Sequence, residues 1–304
     1  MSFTALNRSV CYLPDEIIPL KAVGLVSLSV VTVVFNSLVI ITIWKDPFKE
    51  LKGTANYLIL NLAVCDLLVG FPAELLFALL LWFPDRVIIV FSAYVAIYLD
   101  FYASFLTILG LAVERLLVIS SPSWSADYQT TTYRTVGFLS IWIFAGLLAF
   151  LPVFGADSCH KYRMFITDAV GLPVLILLFA CYTRIFLLIR KQLHRYFATG
   201  DQRRELQPLT PKSQRMERLK RRERGVALSV FILTGLVTVC WSPLFIVENI
   251  RQCCDHDDCI PKKLDLIFES LIFVHPLANP IAYALRTAKF RRALKRIFRC
   301  SGNN

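Results

Sequence analysis

The chain has 304 residues, 56% of them hydrophobic and 18% charged, against roughly 45–50% and 25% in soluble domains; its mean hydropathy is +0.59. Seven spans of about 20 apolar residues would consume roughly half of it, which leaves no room for a sizeable water-soluble domain. That excludes a soluble enzyme, a folded ectodomain and a nucleic-acid-binding domain, despite a formal net charge of +11.

Residues 1–18 are expected to form an extracellular amino terminus. Pro14, Asp15, Glu16 and Pro19 stand where a cleaved signal peptide would have a basic start and an apolar core, so the first span is expected to act as the signal. Asn7-Arg8-Ser9 is a glycosylation sequon. Apolar runs between breakers then predict spanning helices over about 19–44, 55–82, 87–119, 134–154, 165–193, 223–250 and 262–286. The expected fold is all-α, a seven-transmembrane helix bundle over 19–286, because hydrocarbon offers an unpaired backbone group no partner. Residues 287–304 are expected to form a short amphipathic helix and cytoplasmic tail. There Phe290, Leu294, Ile297 and Phe298 share one face among basic residues, the pattern of a helix lying on membrane lipids. Cys300 at its end is a candidate for lipidation or a free thiol.

Orientation follows from the cations, since cytoplasmic segments retain Lys and Arg. With the amino terminus outside, the inner segments carry 23 of the 33 and the outer segments 8. Residues 190–224 alone hold 12, with Pro208 and Pro211 in a stretch expected to be a solvated loop. The expected location is a plasma membrane, crossed many times.

Ionisable groups inside a span cost about 2.5–3.5 kcal/mol each on insertion scales and mark function by default. Asp66 lies in the apolar run from Asn61; Asp100 and Ser104 are one turn apart on the third span, and Glu114 and Arg115 lie near its inner end. The seventh span carries His275 and Asn279. Pro72, Pro152, Pro173, Pro243 and Pro280 interrupt five spans, which suggests helices with movable joints.

These residues form an ordered set that resembles the rhodopsin-like, or class A, G-protein-coupled receptors over nearly the whole chain. Asn36 resembles the first-helix asparagine, Asn61-Leu-Ala-x-x-Asp66 the second-helix signature, Glu114-Arg115-Leu116 the triplet ending the third helix, and Trp142 the fourth-helix tryptophan. Pro173, Cys240-Trp241-Ser242-Pro243, Asn279-Pro280-Ile281-Ala282-Tyr283 and Phe290 match the later helices in turn. The resemblance implies an extracellular ligand, a heterotrimeric G protein as partner and arrestin as a further one. It implies a switch made of Glu114, Arg115, Glu223, Trp241, Pro243, Asn279, Pro280 and Tyr283, in which Arg115 pairs with Glu114 and Glu223 until the sixth helix swings outward. Asp66, Ser104 and Asn279 resemble the family's internal sodium site; a protonated, hydrogen-bonded Asp66 is the alternative. No covalent cofactor is expected.

The departures are informative. Val90 stands where the family places an extracellular cysteine, so the customary disulfide is not expected. Cys11, Cys159, Cys253, Cys254 and Cys259 are the candidates for substitute bridges in an oxidising compartment, with zinc at the 253–259 cluster as the alternative. Leu116 replaces an aromatic residue, Phe35 stands where glycine usually precedes Asn36, and Cys181 and Tyr182 displace a fifth-helix tyrosine. Ile97 replaces the aspartate of amine receptors and Phe273 the retinal lysine of opsins, which excludes an opsin and argues against a biogenic amine. The expected ligand pocket is Ile97, Tyr98, Asp100, Trp241, Phe245, Glu248, Glu269 and Phe273, for a peptide or a small molecule.

Other functions weighed are a constitutively active or ligand-scavenging receptor-like protein and a seven-helix transporter or channel, which usually shows internal repeats. Enzymatic chemistry has no candidate, since no nucleophile, base and orienter converge.

Overall fold

The computed structural model describes residues 17–83, 86–120, 130–154, 167–204, 231–232, 235–236, 238–243, 245–247, 249–250 and 261–301. All regular structure among them is helical. Helix α1 is Ile17–Lys45, and α2 is Thr54–Trp82, in which a π-helical turn, Val69–Ala73, joins Thr54–Leu68 to Glu74–Trp82. Helix α3 is Val87–Ser120 and α4 is Thr131–Phe154. A second π turn, Thr167–Gly171, leads into α5, Leu172–Arg204. Helix α6 is represented by Thr238–Val247, followed by α7, Lys262–Arg286, and α8, Ala288–Ser301.

Five of these, α1 to α5, are long and apolar enough to cross a membrane. Their outward faces carry large apolar side chains such as Val30, Ile143, Phe144, Phe179 and Phe186, all more than half exposed. The inward faces hold the polar ones, including Asn36, Asn61, Asp66, Asp100 and Asn279. This inversion is expected in lipid, where apolar surface gains nothing by burial against protein and polar groups must find partners inside.

Helix α3 is the central element and packs on α2, α4 and α5. Helix α1 packs on α2 and α7. A core of Phe101, Phe105, Ile108 and Leu111 on α3 meets Leu62 on α2, Leu178 and Tyr182 on α5, and Trp241 on α6. The α1–α2 connection is tight. Asp46, with φ of 31°, accepts the backbone N–H of Glu50 and of Leu51 at 3.0 and 3.1 Å, so its carboxylate closes the turn.

Helix α7 ends at Thr287, whose extended backbone turns the chain into α8. Phe290 and Leu294 of α8 pack with Val39, Ala63 and Tyr283. Lys289 and Arg292 both reach Glu50 of the α1–α2 turn, at 3.7 and 3.0 Å.

The prolines act in different ways. Pro72 sits in the π turn of α2, whereas Pro173 stands just past the π turn of α5, in the first turn of that helix. Helix α7 contains Pro276 as well as Pro280, one interruption more than the sequence reading counted.

Candidate functional site

The polar residues converge on one seam through α1, α2, α3 and α7. Asn279 Nδ2 donates to Asp66 Oδ2 at 2.8 Å, tying α7 to α2. His275 Nε2 lies 3.9 Å from Asp66 Oδ1. Proline chemistry accounts for two further contacts. Pro280 has no N–H, so the Pro276 carbonyl four residues earlier loses its helical donor; Asn36 Nδ2 supplies one at 3.2 Å. Pro276 frees the Ile272 carbonyl in the same way, and His275 Nδ1 meets it at 2.6 Å. Both breaks in α7 are thus closed by side chains.

The π turn of α2 produces a parallel arrangement. Its register shift sends the Glu74 N–H to the Val69 carbonyl, five residues back, which leaves the Gly70 carbonyl for the Ser29 hydroxyl at 2.6 Å. Thr32 then donates to Glu74 Oε1 at 3.4 Å. On α3, Ser104 donates to Asp100 Oδ1 at 3.0 Å. Asp100 interacts electrostatically with both Asp66 and Glu74, so three fully buried carboxyl groups share one region. Glu74 escaped the sequence reading, although a lone carboxylate two residues after Pro72 in an apolar run was a usable signal.

Acceptor atoms predominate in the seam. Asn36 Oδ1, Asp66 Oδ1, Glu74 Oε2, Asp100 Oδ2 and Asn279 Oδ1 are buried and receive no hydrogen bond from protein. Among the described residues no three His, Cys, Asp or Glu side chains come together as metal ligands. The donor set is therefore mixed: carboxylate, amide and hydroxyl oxygens, the chemistry of a hard cation.

At the far end of α3, Arg115 is nearly buried and makes a bidentate pair with its neighbour Glu114, Nε to Oε2 and Nη2 to Oε1. Tyr283 of α7 is buried, and its hydroxyl lacks a hydrogen-bond partner. Glu223, placed in the same switch by the sequence, lies outside the described residues.

Across the bundle, Asn61 joins three helices. Its Nδ2 donates to Thr107 of α3 at 2.7 Å, while its Oδ1 accepts from Trp142 Nε1 of α4 at 2.9 Å.

The expected ligand-pocket residues sit over an aromatic floor. Trp241 has its ring centroid 4.5 Å from Phe101, 5.9 Å from Phe105 and 5.7 Å from His275. Phe245, one turn further along α6, packs on Gly171; a Cβ built there would lie 2.4 Å from the ring, so glycine is what lets α5 and α6 approach. Phe273 meets Phe77 at 5.1 Å, and Tyr98 stacks between Tyr94 and Tyr102. Ile97, Asp100 and Phe273 are buried in this wall. Pro243 lies between Trp241 and Phe245 on α6. Glu248, Asn7, Cys11, Cys159, Cys253, Cys254 and Cys259 lie outside the described residues, as do the side chains of Glu269 and Cys300.

A helical membrane bundle with a polar interior, a buried arginine at one end and an aromatic floor toward the other has the anatomy of a seven-helix receptor. The chain belongs to the rhodopsin family of seven-transmembrane receptors, whose profile, 7 transmembrane receptor (rhodopsin family), matches residues 35–283. It is 24% identical to the adenosine receptor A2a of Canis lupus familiaris and of Homo sapiens, in each case over 90% of this chain and 70% of that receptor. It is 25% identical to the somatostatin receptor type 1 of Rattus norvegicus, over 86% of this chain and 67% of that receptor. The protein is accordingly a seven-helix, multi-pass membrane receptor of the G-protein-coupled class, a family of signalling proteins and not of enzymes.

Proposed function

We propose that this receptor, with its amino terminus outside the cell, converts binding of an extracellular peptide or small molecule into nucleotide exchange on a heterotrimeric G protein. The 23 to 8 division of cations supports the orientation. A ligand seated among Tyr98, Phe245 and Phe273 presses on Trp241. Helix α6 then swings outward about Pro243 and opens a cavity at the inner end. Arg115, released from Glu114 and from Glu223, meets the G protein there while Tyr283 turns inward to hold the open form. Arrestin is a further partner, with Thr199, Thr210 and Ser213 as candidate phosphorylation sites, and α8 lies on the inner leaflet.

The observation that carries this reading is the bidentate Glu114–Arg115 pair at the end of α3. A guanidinium held by a neighbouring carboxylate in a nearly dry site is costly to strand unpaired, so it exchanges one anionic or dipolar partner for another and does not simply let go. The test is nucleotide exchange on a purified heterotrimer. Arg115→Ala should remove both basal and stimulated exchange; undiminished exchange would overturn the proposal.

A sodium ion fits the seam. Asp66 Oδ1, Asp100 Oδ2 and Asn279 Oδ1 are buried acceptors without donors, and Ser104 adds a hydroxyl. Asp66, Ser104 and Asn279 would hold the ion, with Asp100 adding a second carboxylate. The bound charge would let Asp66 stay ionised in the bundle interior.

A further inference from the structure

The wall that α2, α3 and α7 offer a ligand is aromatic. Phe77 meets Tyr94 at 5.9 Å and Phe273 at 5.1 Å, both in edge-on geometry, and Tyr98 stacks on Tyr94 at 6.4 Å. The faces of such rings attract cations.

Two carboxyl groups lie about one helical turn nearer the Arg115 end of the bundle. Glu74 stands three residues before Phe77 on α2, and Asp100 three residues after Ile97 on α3. They belong to different helices yet act on one another electrostatically. Both are fully buried. Thr32 and Ser104 satisfy one oxygen of each, while Glu74 Oε2 and Asp100 Oδ2 receive no donor. Among the described residues no Lys, Arg or His pairs with either. No single ion takes Asp66, Asp100 and Glu74 together, since no three such side chains converge among the described residues. A sodium ion at Asp66 therefore leaves Glu74 without positive charge, and buried carboxylates are costly until both charge and hydrogen-bond donors reach them.

Position sets the shape of what can supply them. Ile97 stands where amine receptors keep their counter-ion, and Asp100 puts a carboxyl group about 4.5 Å further along the same helix. A cation that reaches it passes Ile97 on a narrow stem. Its head must carry N–H groups, because both orphaned oxygens are acceptors and a quaternary ammonium has nothing to donate. Resting on the receptor function already proposed, we propose that the ligand carries a primary ammonium or a guanidinium on an unbranched stem. The stem passes between Phe77 and Tyr98, and the head donates to Glu74 Oε2 and Asp100 Oδ2. This is the chemistry of a Lys or Arg side chain in a peptide, or of a polyamine.

The test uses the full chain in phosphatidylcholine nanodiscs and potassium chloride, which keeps sodium off Asp100. A tetrapeptide library with spermidine added is applied, and retained molecules are identified by mass spectrometry against empty nanodiscs. Peptides with Lys or Arg, or spermidine, should be retained about tenfold over peptides with norleucine at the same place, the scale of one charge-assisted hydrogen bond. Which of the two is retained identifies the source of the cation. Glu74→Gln and Asp100→Asn should each reduce the preference and together remove it. Ile97→Lys sets an ammonium three residues from Asp100, within reach on a helix, and should block retention without lowering the melting midpoint. Ile97→Met, a stem without charge, should leave retention intact, and this pair decides the matter should the carboxyl variants fail to fold. No preference for basic molecules, a preference that survives the double variant, or one that survives Ile97→Lys would each overturn the proposal. Retention is read without a G protein. A receptor that holds cations but drives no nucleotide exchange would sink the signalling reading alone, and one that drives exchange with no taste for cations would sink only this inference.

Discussion

Asn61 accepts the indole N–H of Trp142 through its carbonyl oxygen while its amide donates to Thr107. Its side chain therefore fastens α2 to α3 and α4 at once. Asn61 is buried, so removing the indole donor strands an acceptor. Trp142→Phe should destabilise the receptor by about 1–3 kcal/mol, read as a lower midpoint in a thermal unfolding assay. A cycle with Asn61→Leu should show strong coupling between the two positions, because with both polar partners gone neither an indole N–H nor an amide oxygen is stranded, and the Thr107 hydroxyl keeps its bond to the Ala103 carbonyl.

Gly70 is required by packing. A Cβ at this position would lie 2.9 Å from Thr32 Cγ2, 3.0 Å from Thr32 Cβ and 3.1 Å from Val33 Cγ2. Both neighbours are β-branched and stiff about χ1. Gly70→Ala should cost about 1–3 kcal/mol, the usual penalty of overpacking. Thr32→Ser in the same chain should restore part of it by deleting the nearest methyl group while keeping the hydroxyl that faces Glu74.

Binding of an ion to the folded state alone raises stability by mass action. Melting in sodium chloride should therefore occur roughly 2–4 °C above melting in choline chloride of equal strength, and Asp66→Asn should erase the difference. A sodium response that persists in Asp66→Asn would move the ion elsewhere.

Glu114→Gln weakens the hold on Arg115 without removing the guanidinium. Basal nucleotide exchange should rise, in contrast to the loss expected of Arg115→Ala. Basal exchange at or below the unaltered level would show that Glu114 does not restrain the arginine.

The contacts of Glu50 with Lys289 and Arg292 involve partly exposed side chains. Such pairs gain little over their hydration. Glu50→Gln should shift stability by less than about 1 kcal/mol, even though it touches the junction of α1, α2 and α8.

What could be read from the sequence is what chemistry makes conspicuous. Asp66, Asp100 and Asn279 stand out because a polar group in an apolar run needs a reason, and the ordered motifs pointed to the family that the profile match then established. The Asn61–Trp142 bond joins residues 81 positions apart, and no periodicity encodes it. Pro72 marks the interruption of α2 in the sequence, but nothing there says that the interruption takes the form of a π turn whose register shift frees the Gly70 carbonyl. Pro276 passed unnoticed for a related reason. Its effect on the Ile272 carbonyl appears only once His275 is seen to reach that oxygen.

The amide that α1 lends to the broken stretch of α7 has a mechanical meaning. A helix with two prolines would ordinarily flex wherever thermal motion took it, but here one stitch comes from a neighbouring rod and the other from the helix's own imidazole. Twisting α7 about Pro280 must either carry α1 along or snap the Asn36 stitch, so the compliance of the seventh span is set by a residue on the first.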